Sequence, residues 1–282
     1  MGTSASNNGP KGSPPLLPDW YGDSLPSPGP QPPEQPEKDH DPNIPTPPPQ
    51  PPLPANTPTQ NWKSAKGALT RLSNSTGGSS GRKAAGRYVN SLGGSRAATR
   101  AATQGISIGG RYANLLGAIA SGGMTDTLRS LGLDEFVGRA PDEICAAIAN
   151  VLAPIGATND EAIARDALIS TLDALYTRIL DAGGSLDDLN ALSPAMLKET
   201  LIEYVSNFIF TKWMYELGTA IEKGNVSEQQ AIILERDVKD LIFTETNQHY
   251  QDLDITVLDL NDANNIALIT GIFETAYSTL EP

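Results

Sequence analysis

The chain has 282 residues, two histidines and one cysteine, and its 20 basic against 33 acidic side chains give a formal net charge of −13. One cysteine excludes an internal disulfide and any zinc site built from several thiolates, and two histidines leave little for the clustered His, Cys and carboxylate chemistry of a typical enzyme. The charge is uneven: residues 1–60 carry −4, residues 61–125 carry +9 with no acid, and residues 126–282 carry −18, which divides the chain into a leader (1–60), a basic segment (61–125) and an acidic domain (126–282).

The chain opens MGTSAS. This fits M-G-x-x-x-S, the pattern of a myristoylation site after loss of the initiator methionine. A residue as small as Gly2 makes removal of Met1 easy and exposes an α-amine. Such an amine titrates at about 7.7–8.0, so a useful fraction is neutral and nucleophilic near pH 7. Gly2 has no Cβ, and Thr3 and Ser4 are slim, so the end can thread into a deep pocket; the plain alternative is a frayed start. The rest of the leader, with runs such as SPGPQPPEQPEKDHDPNIPTPPPQPPLP, has almost no apolar periodicity. It buries too little surface to offset its ordering entropy and reads as disordered, with a polyproline II bias. It lacks the basic start and apolar centre of a secretory signal.

In the basic segment, NWKSAKGALTRL predicts a short helix and SNSTGGSSG a flexible break. Alanine- and arginine-rich helices follow, divided at Gly93–Gly94 and Gly109–Gly110. The small residues let backbones approach closely. Arg96 and Arg100, at i and i+4, share one helical face. Arg82, Lys83, Arg87 and Arg111 complete the basic side chains singled out as contacts for an anionic partner. Two readings stand: the block lies against acidic helices of its own domain, or it contacts nucleic acid or an acidic partner. Trp62, Tyr88 and Tyr112 are interleaved with the cations and compatible with stacking on exposed bases.

The acidic domain reads as amphipathic helix throughout. Pro141 opens one helix, with Asp142 and Glu143 in its first turn, where the helix dipole favours acids. Thr158 and Glu161 form a capping box ahead of the stripe Leu168, Leu172, Leu175, Tyr176, Ile179, and Gly183–Gly184 closes that helix. Ser193–Pro194 starts a helix on which Leu201, Tyr204, Val205, Phe208, Trp213 and Leu217 are spread widely around, which places it at the centre of a bundle. Ser227 and Gln230 form a second capping box, and a last helix is predicted from about Asp262. Only DITVLDL hints at an extended piece. The fold class is mainly α: an irregular helical domain preceded by a long disordered Pro-rich N-terminal leader.

Recognisable catalytic apparatus is missing from the pattern. His40 lies in the leader and His249 near a predicted helix end. Cys145 sits on the apolar side of its helix, where a free cysteine serves as a small hydrophobe. GGSSGRK lacks the spacing of a phosphate loop, ISIGGRYANLLG lacks a βαβ setting, and the Asp187–Asp188 pair reads as a solvated loop. No metal or cofactor is expected. LIEYVSNFIFTKWMYEL is interrupted by Glu203, Lys212 and Glu216 and falls short of a spanning helix, so a cytoplasmic chain without membrane contact is expected.

The opening MGTSASNNGPKGSPPLLPDW resembles the start of the B component of the bacterial Qat anti-phage defence system: a Met-Gly-Thr-Ser leader, a Gly/Pro stretch and a tryptophan close behind. RYVNSLGGSRAATRAA is similar to that family's Gly-Gly and arginine-rich helical segment. The resemblance covers the first twenty residues and, more loosely, 85–125; this leader is unusually rich in proline. It implies an operon with an ATPase, a QueC-like enzyme and a TatD-like nuclease. QueC-type enzymes activate a carboxylated 7-deazaguanine with ATP and let ammonia attack the acyl adenylate. A peptide's terminal amine is a substituted ammonia, so the resemblance implies a non-enzymatic subunit that binds the QueC-like partner and presents Gly2 for modification, with Thr3 and Ser4 recognised beside it. The proline-rich leader would be a semi-rigid tether. The alternatives are a nucleic-acid-binding adaptor using residues 63–111 and a myristoylated protein on a membrane surface. The last of these needs a eukaryotic transferase, whereas the resemblance points to bacteria.

Overall fold

The computed structural model describes residues 58–73, 78–156, 158–181, 193–222, 227–250 and 265–281. The chain divides into Met1–Pro52 and Leu53–Pro282. The first unit lies wholly outside the described residues, and with it the reading of the leader as disordered and the residues Gly2, Thr3 and Ser4.

Among the described residues every regular element of the second unit is helical. In chain order these are α1 (Pro58–Ser73), α2 (Gly78–Ser91), α3 (Ser95–Ala101), α4 (Thr103–Ser130), α5 (Pro141–Leu152), α6 (Asn159–Asp181), α7 (Pro194–Glu222), α8 (Glu228–His249) and α9 (Asn265–Leu280), with one 3₁₀ turn at Asp134–Phe136 between α4 and α5. The mainly α class is therefore observed.

Local chemistry sets most of the helix starts. Pro141 occupies the first turn of α5 with Asp142 and Glu143, where a missing N–H costs nothing and negative charge meets the dipole. Ahead of α6 the Thr158 N–H donates to Glu161 Oε2 at 3.0 Å and the Glu161 N–H returns to Thr158 Oγ1 at 3.3 Å. Ser227 and Gln230 make the same reciprocal pair at α8, at 3.0 and 3.3 Å. The Met196 N–H donates to Ser193 Oγ at 3.2 Å at the start of α7. Each bond satisfies a donor that the first helical turn leaves unpaired. His249 is the last residue of α8.

Helix α7 is the axis of the domain. It packs against α1, α4, α6, α8 and α9, and Tyr204, Phe208, Trp213 and Leu217 are fully buried. Such burial is what its widely spread apolar residues require, each large side chain contributing about 1.5–3 kcal/mol. Phe208 meets Phe273 of α9 edge-on at 5.2 Å, and Trp213 stacks on Tyr88 of α2 at 5.0 Å.

Two expectations need correction. Gly109–Gly110 does not divide helices: both glycines are buried inside α4. A Cβ at Gly109 would lie 2.7 Å from Tyr204 Cε1 and one at Gly110 2.9 Å from Ile266 Cγ1, so the pair permits close helix packing. Gly78–Gly81 belongs to the first turn of α2, where Gly81 comes against Leu241 of α8. The last helix is described from Asn265, and its expected start near Asp262 lies outside the described residues. Gly93–Gly94, in contrast, is a true joint between α2 and α3, with φ of 95° and 88°. Helix α4 is interrupted at Gly123 (φ 82°, ψ 168°), three residues before the acidic domain begins at Asp126. Tyr112 and Leu116 before that break and Leu128 after it enter one core. Gly183–Gly184 and DITVLDL lie outside the described residues.

Candidate functional site

The basic side chains singled out from the sequence sit mainly on α2 and α3, and the burial pattern of α2 explains how they are aimed. Ala84, Ala85, Tyr88 and Val89 are buried, which turns Arg82, Lys83 and Arg87 to the surface. A polar knot fixes this rotation. Tyr88 Oη donates to Glu216 Oε2 at 2.9 Å, and the nearly buried Lys212 ammonium reaches Asp160 Oδ1 at 2.7 Å and Glu216 Oε1 at 3.4 Å. Burial, then the charges of Tyr277 and Glu216, hold the Tyr88 phenol well above its usual range, so it is a donor at any physiological pH.

Helix α2 ends where the Gly94 N–H donates back to Val89 O at 3.1 Å, a closure that uses the left-handed glycines. The next N–H, of Ser95, donates to Glu281 Oε2 at 3.1 Å, tying the start of α3 to the end of α9. Arg96 and Arg100 are exposed on one face of α3, and Arg100 Nε donates to Arg96 O at 3.2 Å.

The six basic residues separate into two groups. Arg82 binds Glu245 through Nε at 2.7 Å and Nη2 at 2.6 Å; together with Lys83, Thr279 and Glu281 they border a cleft of about 260 Å³ between α2, α8 and α9. Arg111 Nη1 donates to Leu152 O at 3.1 Å, the last carbonyl of α5, where a cation is favoured by the dipole. These two serve the fold. Lys83, Arg87, Arg96 and Arg100 are exposed and make no ion pair among the described residues.

Two of the three proposed stacking aromatics are not available. Tyr88 and Tyr112 are fully buried; Tyr88 is covered by Trp213, and Tyr112 lies 6.0 Å from the Tyr204 ring. Trp62 is half-buried against the core. Their apolar faces are used by the bundle, which removes base stacking by the two tyrosines from any nucleic-acid reading. Sequence reasoning also missed Glu245, Glu281 and Glu216. Glu245 and Glu281 are far along the chain from Arg82 and Ser95, as Glu216 is from Tyr88, and nothing local marks one acid among many. Among the described residues no group of three or more His, Cys, Asp or Glu is placed to hold a metal ion, and no helix is long and apolar enough to cross a membrane.

Residues 93–280 match the family described as Qat anti-phage system associated protein QatB. No curated protein and no solved structure matches the chain. The match spans α3 to the end of α9, joint and arginine pair included, and leaves out the first twenty residues. The chain belongs to the QatB family.

Proposed function

We propose, from this membership, that the chain is a non-catalytic subunit of the Qat anti-phage system that binds the QueC-like enzyme of the same operon and offers Gly2 as its acyl acceptor. The family match over 93–280 carries the place in the defence system. The opening MGTSAS and the chemistry of a free glycine amine support the rest. In the reaction the partner activates a 7-deazaguanine carboxylate as its acyl adenylate. The neutral Gly2 nitrogen attacks the acyl carbon, AMP leaves with the bonding pair, the nitrogen loses a proton, and an amide links the deazaguanine to the protein. The operon's ATPase and TatD-like nuclease are further partners in this reading, which is cytoplasmic and places no cofactor on the chain itself. Three variants test it. Gly2→Val adds a branched side chain at the reacting carbon and abolishes defence; Gly2→Ala retains part of it. A residue kept ahead of Gly2 displaces the amine and abolishes it. Full defence by Gly2→Val overturns the proposal.

One observation favours a second reading: Lys83, Arg87, Arg96 and Arg100 are exposed and without an ion pair among the described residues. These suit the phosphates of a nucleic acid. Binding would then fall steeply with salt, and replacing Arg96 and Arg100 would weaken it for all sequences alike. No binding of DNA or RNA at low salt removes this reading.

A further inference from the structure

Helices α5 and α6 run side by side and leave a surface cleft of about 240 Å³. Its α5 wall is a stripe at helical spacing, Asp142, Cys145, Ala146 and Ala149, and the α6 wall includes Ile169, Leu172 and Asp173. The alanines are too short to fill the space between the helices. Ile169 is 43% exposed there. Beneath, sharing Cys145, Leu172 and Tyr176, is an apolar void of about 20 Å³ that reaches Tyr112. The Tyr112 hydroxyl has no hydrogen-bond partner among the described residues.

Among the described lining residues the carboxylates of Asp142 and Asp173 outnumber the one cation, Arg165. The Arg165 guanidinium is drawn to the end of α5, where it donates to Ala149 O at 3.2 Å, to Ala153 O, and to Asn150 Oδ1 at 2.6 Å. Arg139, near the start of α5, pairs with Glu143 at 3.7 Å. Asp142 and Asp173 are exposed and without an ion pair among the described residues. Burial, with Asp173 and Asp142 adding to it, pushes the Cys145 thiol up to about 11, as expected beside uncompensated carboxylates.

We propose that the α5–α6 cleft is a docking site for a segment of another protein that presents an apolar side chain flanked by lysine or arginine. The volume falls below the roughly 300–1,000 Å³ of cofactor pockets and suits one or two anchoring side chains. The acidic rim selects the cationic flank and repels nucleic acid. The lining lies within the family match, on a side of α5 and α6 that the other described helices leave open.

The test uses the full-length chain and three labelled amphipathic helical peptides: leucine with lysine, the same lysines with serine replacing leucine, and leucine with glutamate. Fluorescence anisotropy at moderate salt should show binding of the first and at least about tenfold weaker binding of the other two, a difference of about 1.4 kcal/mol. Ala146→Trp fills the exposed mouth of the cleft without changing net charge and should weaken the first peptide by a similar factor; Asp142→Asn with Asp173→Asn should do the same. Ala267→Trp, exposed on α9, should leave binding intact, and circular dichroism confirms folding of every variant. Equal affinity of the wild type and Ala146→Trp would show generic attraction to an acidic surface and overturn the proposal, as would no binding of the leucine–lysine peptide or equal binding of all three.

Discussion

Two helical glycines should respond to the same substitution in opposite directions. Gly109 of α4 faces α7 and α9 so closely that an added Cβ would stand 2.7 Å from Tyr204 Cε1 and 2.9 Å from Ile269 Cγ2. Both neighbours are fully buried, and Tyr204 is also held by its Oη donating to Gly105 O at 2.8 Å, so neither can swing away. Overpacking a filled core costs about 1–3 kcal/mol, while replacing a helical glycine by alanine returns about 1 kcal/mol. Gly109→Ala should therefore lose up to about 2 kcal/mol net by that balance. At Gly271 of α9 nothing lies within 4 Å of the added Cβ, so Gly271→Ala should gain about 0.5–1 kcal/mol. Urea unfolding followed by far-ultraviolet circular dichroism reads the contrast as midpoints moving in opposite directions with unchanged slopes. If Gly109→Ala stabilised the protein as much as Gly271→Ala, the close packing of α4 on α7 and α9 would be wrong.

Arg165→Ala strips charge-assisted donors from the last carbonyls of α5 and should cost about 1–3 kcal/mol in the same assay; a change indistinguishable from zero would contradict that role. Buried phenols bring an alkaline limit. Tyr88, Tyr112, Tyr204 and Tyr277 are raised by burial, and Tyr250 is pushed up to about 12. These acids bind their protons more tightly folded than unfolded, where the value is about 10, so their contribution is complete below about pH 9 and is lost as pH rises beyond about 10. Phenolate absorbance of these tyrosines should rise together with loss of helicity; their ionisation with helicity intact would contradict the burial. Asp142→Asn and Asp173→Asn remove carboxylates that oppose the Cys145 thiolate, so each should lower the thiol's titration point and speed its alkylation at mildly alkaline pH several-fold. An unchanged rate would place the acids away from the sulfur.

What the sequence revealed and what it concealed follow from the range of the interactions. The starts of α5, α6, α7 and α8 were legible because a Pro, a Thr–Glu pair, a Ser–Pro and a Ser–Gln pair act within one turn. The central place of α7 was legible because apolar residues spread so widely around a helix have no other use. Gly109–Gly110 was misread because glycine breaks helices in isolation; only the positions of Tyr204, Ile266 and Ile269, far along the chain, show that these glycines make room. Tyr88 and Tyr112 were read as surface aromatics for the same reason. Of the six basic residues the sequence marked, Arg82 and Arg111 are taken by Glu245 and the end of α5, partners 163 and 41 residues away. The α5–α6 cleft left no sequence signal, since alanines on a helix face mark packing as readily as a gap.

The proposed role rests on the amine of Gly2, and the most direct measurement is the intact mass of the N-terminal peptide from protein co-expressed with its operon in cells defending against phage. The account predicts loss of Met1 and a mass increase equal to one 7-deazaguanine acyl group, located at Gly2 by fragmentation and absent when the QueC-like enzyme is deleted. An unmodified Gly2 in cells shown to be defending would contradict it.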